Sequence, residues 1–122
     1  MQKYRWDELE EHMITPGKSV GKGQTVYGNM VFLQQIEYKE NRGDGKIGAY
    51  LHHHPEEQFF IVLEGGMNIK EDSKWTAVHP GEIYWIPAYK EHETVWGEGG
   101  GLTYNFKTRV PGHSWYDGSW QP

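Results

Sequence analysis

The sequence lacks cysteine, basic clusters and long apolar runs, and each absence excludes a class of protein. Without cysteine among its 122 residues, the chain forms no disulfide and binds no metal through thiolates. Its net charge is −5, and it lacks the basic stripe that a nucleic-acid partner would require. No apolar run approaches the ~20 residues of a membrane-spanning helix, and residues 1–7 lack the apolar stretch of a secretory signal. We therefore expect a cytoplasmic protein with neither a nucleic-acid nor a membrane partner.

Glycine and aromatic residues are abundant, and this composition favours β structure. The chain contains 16 glycines and 15 % aromatic residues, and its mean hydropathy is −0.82. Many short strands joined by Gly and Pro turns are typical of a sandwich or a barrel. A chain of this length fits one domain. An all-β domain with a narrow apolar interior is therefore predicted.

Along the chain, three regions are expected. Residues 1–23 form an N-terminal arm in which residues 3–12 are either a short helix or irregular, and residues 109–122 form an irregular tail that wraps over the barrel. The barrel itself spans about residues 24–108, and a helical period is absent from it. The predicted extended segments are residues 24–38, 47–54, 58–63, 67–70, 75–78, 82–86, 92–96 and 102–107.

Three consecutive histidines end one predicted strand and indicate a metal site. Side chains two positions apart on a strand lie on the same face, so His52 and His54 share a face and His53 lies on the other. A two-residue step separates the Cα atoms by ~6.6 Å, which lets two imidazoles converge on one ion through bonds of about 2.0–2.1 Å. With no cysteine, histidine and oxygen ligands must hold that ion.

Two further ligands are expected from neighbouring segments. Gln58 opens the strand that follows Pro55, and its carbonyl oxygen can reach back to the same ion. His92 opens a strand after Pro87 and brings in an imidazole from another part of the barrel. The predicted ligands are thus His52, His54, Gln58 and His92, although the adjacent Glu57 is left open as a substitute for Gln58.

These two segments resemble the two motifs of the cupin superfamily. His52, His54 and Gln58 occupy the ligand positions of the first motif, and Gly65 is its closing glycine. The second motif is matched by three residues: Gly81, Pro87 and His92. The sequence departs from the family pattern at four positions. Glutamine replaces the usual glutamate at residue 58, Gly48 lies closer to the histidines, Tyr89 replaces a glycine, and Trp96 replaces an asparagine.

The resemblance implies a fold, a cofactor and a range of activities. The fold is the cupin double-stranded β-helix, a jelly-roll barrel. The cofactor is one divalent ion, and imidazole with oxygen ligands leaves Zn, Ni, Fe, Mn and Cu open. Small single-barrel cupins include lyases and isomerases of uronate sugars, polyketide cyclases and dioxygenases. We expect an enzyme of the lyase, isomerase or cyclase type that uses the ion as a Lewis acid on a small anionic or polyoxygenated substrate. The alternatives are an iron-dependent dioxygenase and a non-catalytic sugar-binding cupin.

Other side chains are candidates for the cavity wall. Tyr50 shares the predicted face of His52 and His54, so it is the candidate catalytic residue that moves a proton. His113 is a candidate for covering the mouth of the barrel. Phe60 is expected in the core. The remaining candidates, which the sequence does not rank, are Tyr27, Gln34, Tyr84, Trp96 and Tyr104.

A small barrel leaves strand edges exposed, and a partner commonly covers such edges. Single-barrel cupins usually form homodimers, often by exchanging an N-terminal strand, and residues 1–28 are long enough for this. A homodimer is therefore predicted.

Overall fold

The computed structural model describes residues 2–114, and these residues are built from β-strands. A single 3-10 turn, Trp6–Glu8, precedes them. The ten strands are β1 His12–Met13, β2 Lys22–Tyr27, β3 Val31–Tyr38, β4 Ile47–His52, β5 Gln58–Glu64, β6 Met67–Glu71, β7 Lys74–Val78, β8 Ile83–Ile86, β9 His92–Trp96 and β10 Gly101–Thr108.

The strands form two antiparallel sheets. One sheet has six strands in the order β1-β2-β3-β10-β5-β8, and the other has four in the order β4-β9-β6-β7. Neighbours in each sheet are often distant in sequence, as in the pairing of β10 with β3 over residues 101–108 and 31–38. This arrangement confirms the all-β, jelly-roll prediction. Within residues 2–114, no helix has the length and apolar character needed to span a bilayer.

The strand prediction is wrong in one place, because residues 24–38 form two strands rather than one extended segment. Strand β2 turns at residues 28–30 and pairs back onto β3, with the amide of Gly28 donating to the carbonyl of Val31 over 2.8 Å. Gly28-Asn29 is a turn-forming pair. The apolar residues on either side of this pair make a hairpin look continuous in sequence.

Alternation along the strands places the core between the sheets. On β3, the residues facing inward are Phe32, Gln34, Ile36 and Tyr38, and all four are buried. The apolar cluster draws on both sheets and consists of Ile14, Ile36, Tyr38, Phe60, Val62, Met67, Ile69, Val78, Ile86 and Trp96. Phe60 therefore packs in the core as expected.

The arm and the tail both contact the barrel. Strand β1 of the arm pairs with β2, so part of the expected irregular arm is a sheet edge. After β10, residues 110–114 form a turn in which the Ser114 amide donates to the carbonyl of Val110 over 3.1 Å. The part of the predicted tail beyond residue 114 lies outside the described residues, and the domain boundaries stay a prediction.

Candidate metal centre

Three histidines from two adjacent strands meet inside the barrel. Strands β4 and β9 pair so that His52 stands opposite His92, and His54 follows two residues after His52. The ring centroids are 4.5 Å apart for His52 and His92, 5.0 Å for His54 and His92, and 5.6 Å for His52 and His54. One ring nitrogen from each residue lies within 4.8 Å of the other two. The strand register thus places together the three imidazoles that the sequence predicts as ligands.

Backbone carbonyls fix the orientation of all three rings. The Nδ1–H of His52 donates to the Tyr50 carbonyl over 2.6 Å, that of His54 to the Glu56 carbonyl over 3.0 Å, and that of His92 to the Lys90 carbonyl over 2.8 Å. A carbonyl oxygen only accepts, so each Nδ1 carries the proton and each Nε2 keeps its lone pair. This is the tautomer and the fixed orientation that metal-binding histidines show.

Burial keeps the three imidazoles neutral. Desolvation is the main cause that lowers the pKa of His54 to about 2, that of His92 to about 3, and that of His52 below its usual 6.5. The rings also lower one another's pKa, because a proton on one would repel a proton on the next. Three neutral imidazoles present lone pairs, which is the form that binds a metal ion.

Gln58 lies beside the three histidines, whereas the side chain of Glu57 points elsewhere. The side chain of Gln58 is buried beside the three histidines, and its Oε1 has no hydrogen-bond partner. An unpaired buried oxygen costs free energy, and a cation at this position would relieve that cost. The Glu57 carboxylate instead accepts a hydrogen bond of 2.7 Å from the indole of Trp85. The residues present therefore fit a divalent ion held by three imidazoles and one amide oxygen.

A β-bulge turns Tyr50 away from this site, so the prediction that it lines the cavity is wrong. Tyr50 and Leu51 together stand opposite Glu93, between the pairs Ala49–Thr94 and His52–His92. The bulge breaks the two-residue alternation on which the prediction was based. The Tyr50 hydroxyl donates to the Arg42 carbonyl over 2.6 Å, and its ring lies 4.5 Å from the Arg42 guanidinium. Its backbone carbonyl, rather than its hydroxyl, contacts the site through His52.

Close backbone contacts fix the positions of strand β4 and of the loop before β9. A Cβ added to Gly48, whose φ is +148°, would lie 2.0 Å from the Thr94 carbonyl oxygen, so only glycine lets β4 approach β9 here. Tyr89, with φ +63°, adopts the left-handed conformation where the motif has glycine. Its amide donates to the His54 carbonyl over 2.8 Å. The loop before His92 is thus joined to the strand end that carries His54.

The Cupin domain family matches residues 40–100, half of the chain and the segment that contains all four candidate ligands. The chain belongs to the cupin family. No curated protein matches this cupin.

Solved structures with low sequence identity share the fold of this cupin. KdgF from Halomonas sp. is 15 % identical, with a TM-score of 0.73, 91 % of this chain covered and 96 % of that one. The polyketide cyclase RemF from Streptomyces resistomycificus is 20 % identical, with a TM-score of 0.71 and coverages of 88 % and 78 %. A sugar phosphate isomerase of the cupin superfamily from Silicibacter pomeroyi is 13 % identical, with a TM-score of 0.71 and coverages of 90 % and 77 %. At these identities the likeness establishes the fold.

Two of the three clustered histidines of this cupin, His52 and His54, line a cleft of about 580 Å³, a volume that includes open solvent at its mouth. The cleft is lined by Ile14, Thr15, Lys18, Tyr27, Phe32, Gln34, His52, His53, His54, Glu56, Lys107, His113 and Ser114. The expected wall residues Tyr27, Gln34 and His113 are among them. His53, expected on the outer surface, is exposed but lines the mouth.

The other candidate aromatics lie elsewhere. Tyr104 stacks on Trp6 with centroids 5.8 Å apart, and Trp96 stacks on Tyr38 in the core. Tyr84 packs against the apolar core.

Three charged residues of the wall, Lys18, Glu56 and Lys107, are not among the candidates that the sequence singles out. Glu56 adjoins Glu57, the carboxylate left open as a ligand, and Lys107 ends the last predicted strand. The pattern along β10 predicts the opposite orientation for Lys107, because the apolar residues Leu102, Tyr104 and Phe106 alternate with the residues that the structure buries, Thr103, Asn105 and Lys107.

Proposed function

We propose that this cupin is a metal-dependent enzyme of the lyase, isomerase or cyclase type, acting on a small oxygenated substrate. One observation carries the proposal: three histidines with fixed Nδ1–H bonds aim their free nitrogens at one another, beside the unpaired oxygen of Gln58. Similar folds in a polyketide cyclase and a sugar phosphate isomerase support this range of activities.

The proposed ligands of one divalent ion are His52, His54, Gln58 and His92. All four are neutral, so the ligand set leaves the charge of the ion undiminished. When bound, such an ion supplies Lewis acidity toward substrate oxygens. The same set is compatible with Zn, Ni, Fe, Mn or Cu.

The chain's own residues shape and close the cleft around the substrate. The Glu56 carboxylate accepts hydrogen bonds from the Nδ1–H of His113 over 2.7 Å and from the Ser114 hydroxyl over 3.0 Å. These bonds hold the turn of residues 110–114 against the cleft. Glu56 is 4 % exposed and its other oxygen lies 3.6 Å from Nδ1 of His54. The turn thus excludes water from one side of the candidate site.

Proton transfer is assigned to Glu56 in place of Tyr50. A general base must lie within hydrogen-bond reach of the proton that it removes. Among residues 2–114, Glu56 is the one carboxylate that lines the cleft, whereas the Tyr50 hydroxyl is bonded to Arg42 outside it. The two donors both bind Oε2 of Glu56, and this fixes the orientation of the carboxylate in the wall of the cleft.

The metal site is tested with two neighbouring histidines. His92→Ala removes one Nε2 from the cluster, and we expect the affinity for Zn²⁺ or Ni²⁺ to fall by about a hundredfold or more, since even outer-shell losses cost 10–100-fold. His53→Ala is the matched control, because its ring lies at the mouth outside the cluster. Elemental analysis and competition with a chelator measure both variants.

A His92→Ala protein that keeps stoichiometric, tightly held metal would contradict the site. Turnover of uronates, β-diketones and catechols by the natively purified protein then tests the reaction class. Activity on catechols with bound iron would favour the dioxygenase alternative, and no turnover of any of the three classes would favour the non-catalytic one. The homodimer and the cytoplasmic location stay predictions.

A further inference from the structure

The charge of the cleft is opposite to that of the chain. The whole sequence has a net charge of −5, yet the cleft is lined by two lysines, Lys18 and Lys107, against the single carboxylate of Glu56. The four lining histidines add no negative charge. A divalent ion on His52, His54 and His92 would make the cleft still more positive. Such a surface attracts anions even though the protein as a whole repels them.

Lys107 supplies this charge from inside the barrel. The residue is 7 % exposed, follows Asn105 on the inner face of β10, and stands opposite Gln58 of β5 in the sheet. Its ammonium lies 5.8 Å from the ring centre of Phe32. Among the described residues, no carboxylate oxygen comes within 4.0 Å of its nitrogen. A buried cation without a close counter-ion costs stability, so its presence calls for an anionic ligand.

Two amide side chains beside Lys107 also present unpaired atoms. Gln34 on β3 is 3 % exposed and Asn105 on β10 is 2 % exposed, and the side-chain oxygen of each has no hydrogen-bond partner. The two residues stand opposite each other in the β3–β10 pairing. Gln34 donates its amide to the Thr25 hydroxyl over 3.2 Å, which fixes its oxygen as the free end. Oxygens in this position accept hydrogen bonds from hydroxyl groups.

We propose that Lys107 binds the carboxylate of a small hydroxy acid, with Gln34 and Asn105 accepting hydrogen bonds from its hydroxyl groups. The inference rests on the proposed function, because it names the substrate class of the same cleft. A carboxylate suits this site better than a phosphate dianion, since Lys107 is the one buried ammonium among the residues that line the cleft. Lys18, at the exposed rim, adds attraction at longer range.

The test uses two probes that differ at one end. Gluconate carries a carboxylate and five hydroxyl groups, whereas glucitol has the same carbon chain with a neutral hydroxymethyl in its place. Calorimetry measures both dissociation constants with the protein as purified and again after metal removal by EDTA. A charge-assisted hydrogen bond to Lys107 predicts that gluconate binds about tenfold or more tightly than glucitol in both forms.

Three variants locate the effect. Lys107→Met keeps the length and apolar stem of the side chain and should bring gluconate down to the affinity of glucitol. Lys107→Arg keeps the charge and should retain most of the preference. Lys74→Met on the exposed β7 is the control for losing one positive charge, and its preference should equal that of the original protein. Circular dichroism and metal content confirm that each variant is folded.

Equal binding of gluconate by Lys107→Met and the original protein would overturn the inference, as would an original protein that binds gluconate no better than glucitol. If Lys74→Met loses the preference for gluconate to the same extent as Lys107→Met, the preference arises from net charge alone. That result would also overturn the inference. The result is separable from the proposed function. A preference that persists in EDTA-treated protein and is lost in EDTA-treated Lys107→Met supports the carboxylate site even if no metal binds, while failure of metal binding removes the proposed enzyme alone.

Discussion

The two ends of the barrel interior are equally buried but differ in the chemistry of their side chains, which are apolar at one end and polar at the other. At one end Ile36, Val62 and Ile69 are each 0 % exposed and contact other apolar side chains. At the other end Gln58 and Asn105 are each 2 % exposed, and their amide oxygens have no partner. The apolar end also contains one buried polar atom without a hydrogen-bond partner, Nε1 of Trp96, so the two ends differ in how many such atoms they contain.

This contrast separates the buried side chains that stabilise the fold from those that destabilise it. Burying apolar side chains stabilises the folded state at about 25 cal/mol for each Å² removed from water. Burying unpaired polar atoms and a lone cation has the opposite effect, and natural proteins keep such groups where a ligand pairs with them. The same strand can supply both ends, since β5 carries Gln58 at the polar end and Val62 in the apolar cluster.

The largest expected effect comes from the apolar end. Ile69→Ala deletes fully buried methyl groups from the centre of β6, and we expect the free energy of unfolding to fall by about 4 kcal/mol. Metal affinity of the folded protein should not change, because Ile69 does not line the cleft. Asn68→Ala on the exposed face of the same strand is the control and should cost less than ~0.5 kcal/mol. Denaturant titration measures all three proteins, and an equal loss from both variants would contradict the division of the barrel.

At the polar end, a substitution should increase stability. Burial lowers the pKa of Lys107 to about 8 from 10.5, and Glu56 opposes this shift. Between these two pH values the unfolded chain holds a proton that the folded chain has lost, so the free energy of unfolding rises with pH through that window. The rise is on the order of 3 kcal/mol for a shift of this size. Lys107→Met should not show this rise with pH, and at pH 7 it should be more stable than the original protein.

The comparison is made on the difference in unfolding free energy between the two proteins, so that contributions common to both cancel. The imidazoles of His52 and His54 do not change charge in this pH window, because burial lowers the pKa of both. A difference in unfolding free energy that stays constant from pH 7 to 10.5 would mean that Lys107 is not desolvated, and the contrast between the two ends would lose its clearest member.

The sequence alone predicted the histidine cluster well, for a physical reason. Metal ligands near a turn carry their information locally: the spacing of His52 and His54 on one strand and the Pro87 turn before His92 are both short-range patterns. The all-β fold was equally readable from short strands between Gly and Pro turns. These features need no knowledge of which strands are neighbours.

The remaining parts of the site depend on register and bulges, which the sequence does not display. Only the pairing of β10 with β5 places Lys107 opposite Gln58. A bulge at Tyr50 and Leu51 reverses the expected face of Tyr50. The choice between Glu57 and Gln58 also depended on where the strand begins, since a shift by one residue exchanges the inner and outer faces.

The smallest expected effect tests that bulge. Tyr50→Phe removes the hydroxyl that donates to the Arg42 carbonyl, and we expect a loss of about 0.5–1 kcal/mol in the free energy of unfolding, since the group is partly exposed. The Tyr50 carbonyl that orients His52 is retained in the variant, so metal affinity and any turnover should equal those of the original protein. Denaturant titration and metal competition measure the two quantities. If Tyr50→Phe leaves stability intact but abolishes turnover, the tyrosine acts in the cleft after all, and the placement of β4 given by the bulge is wrong.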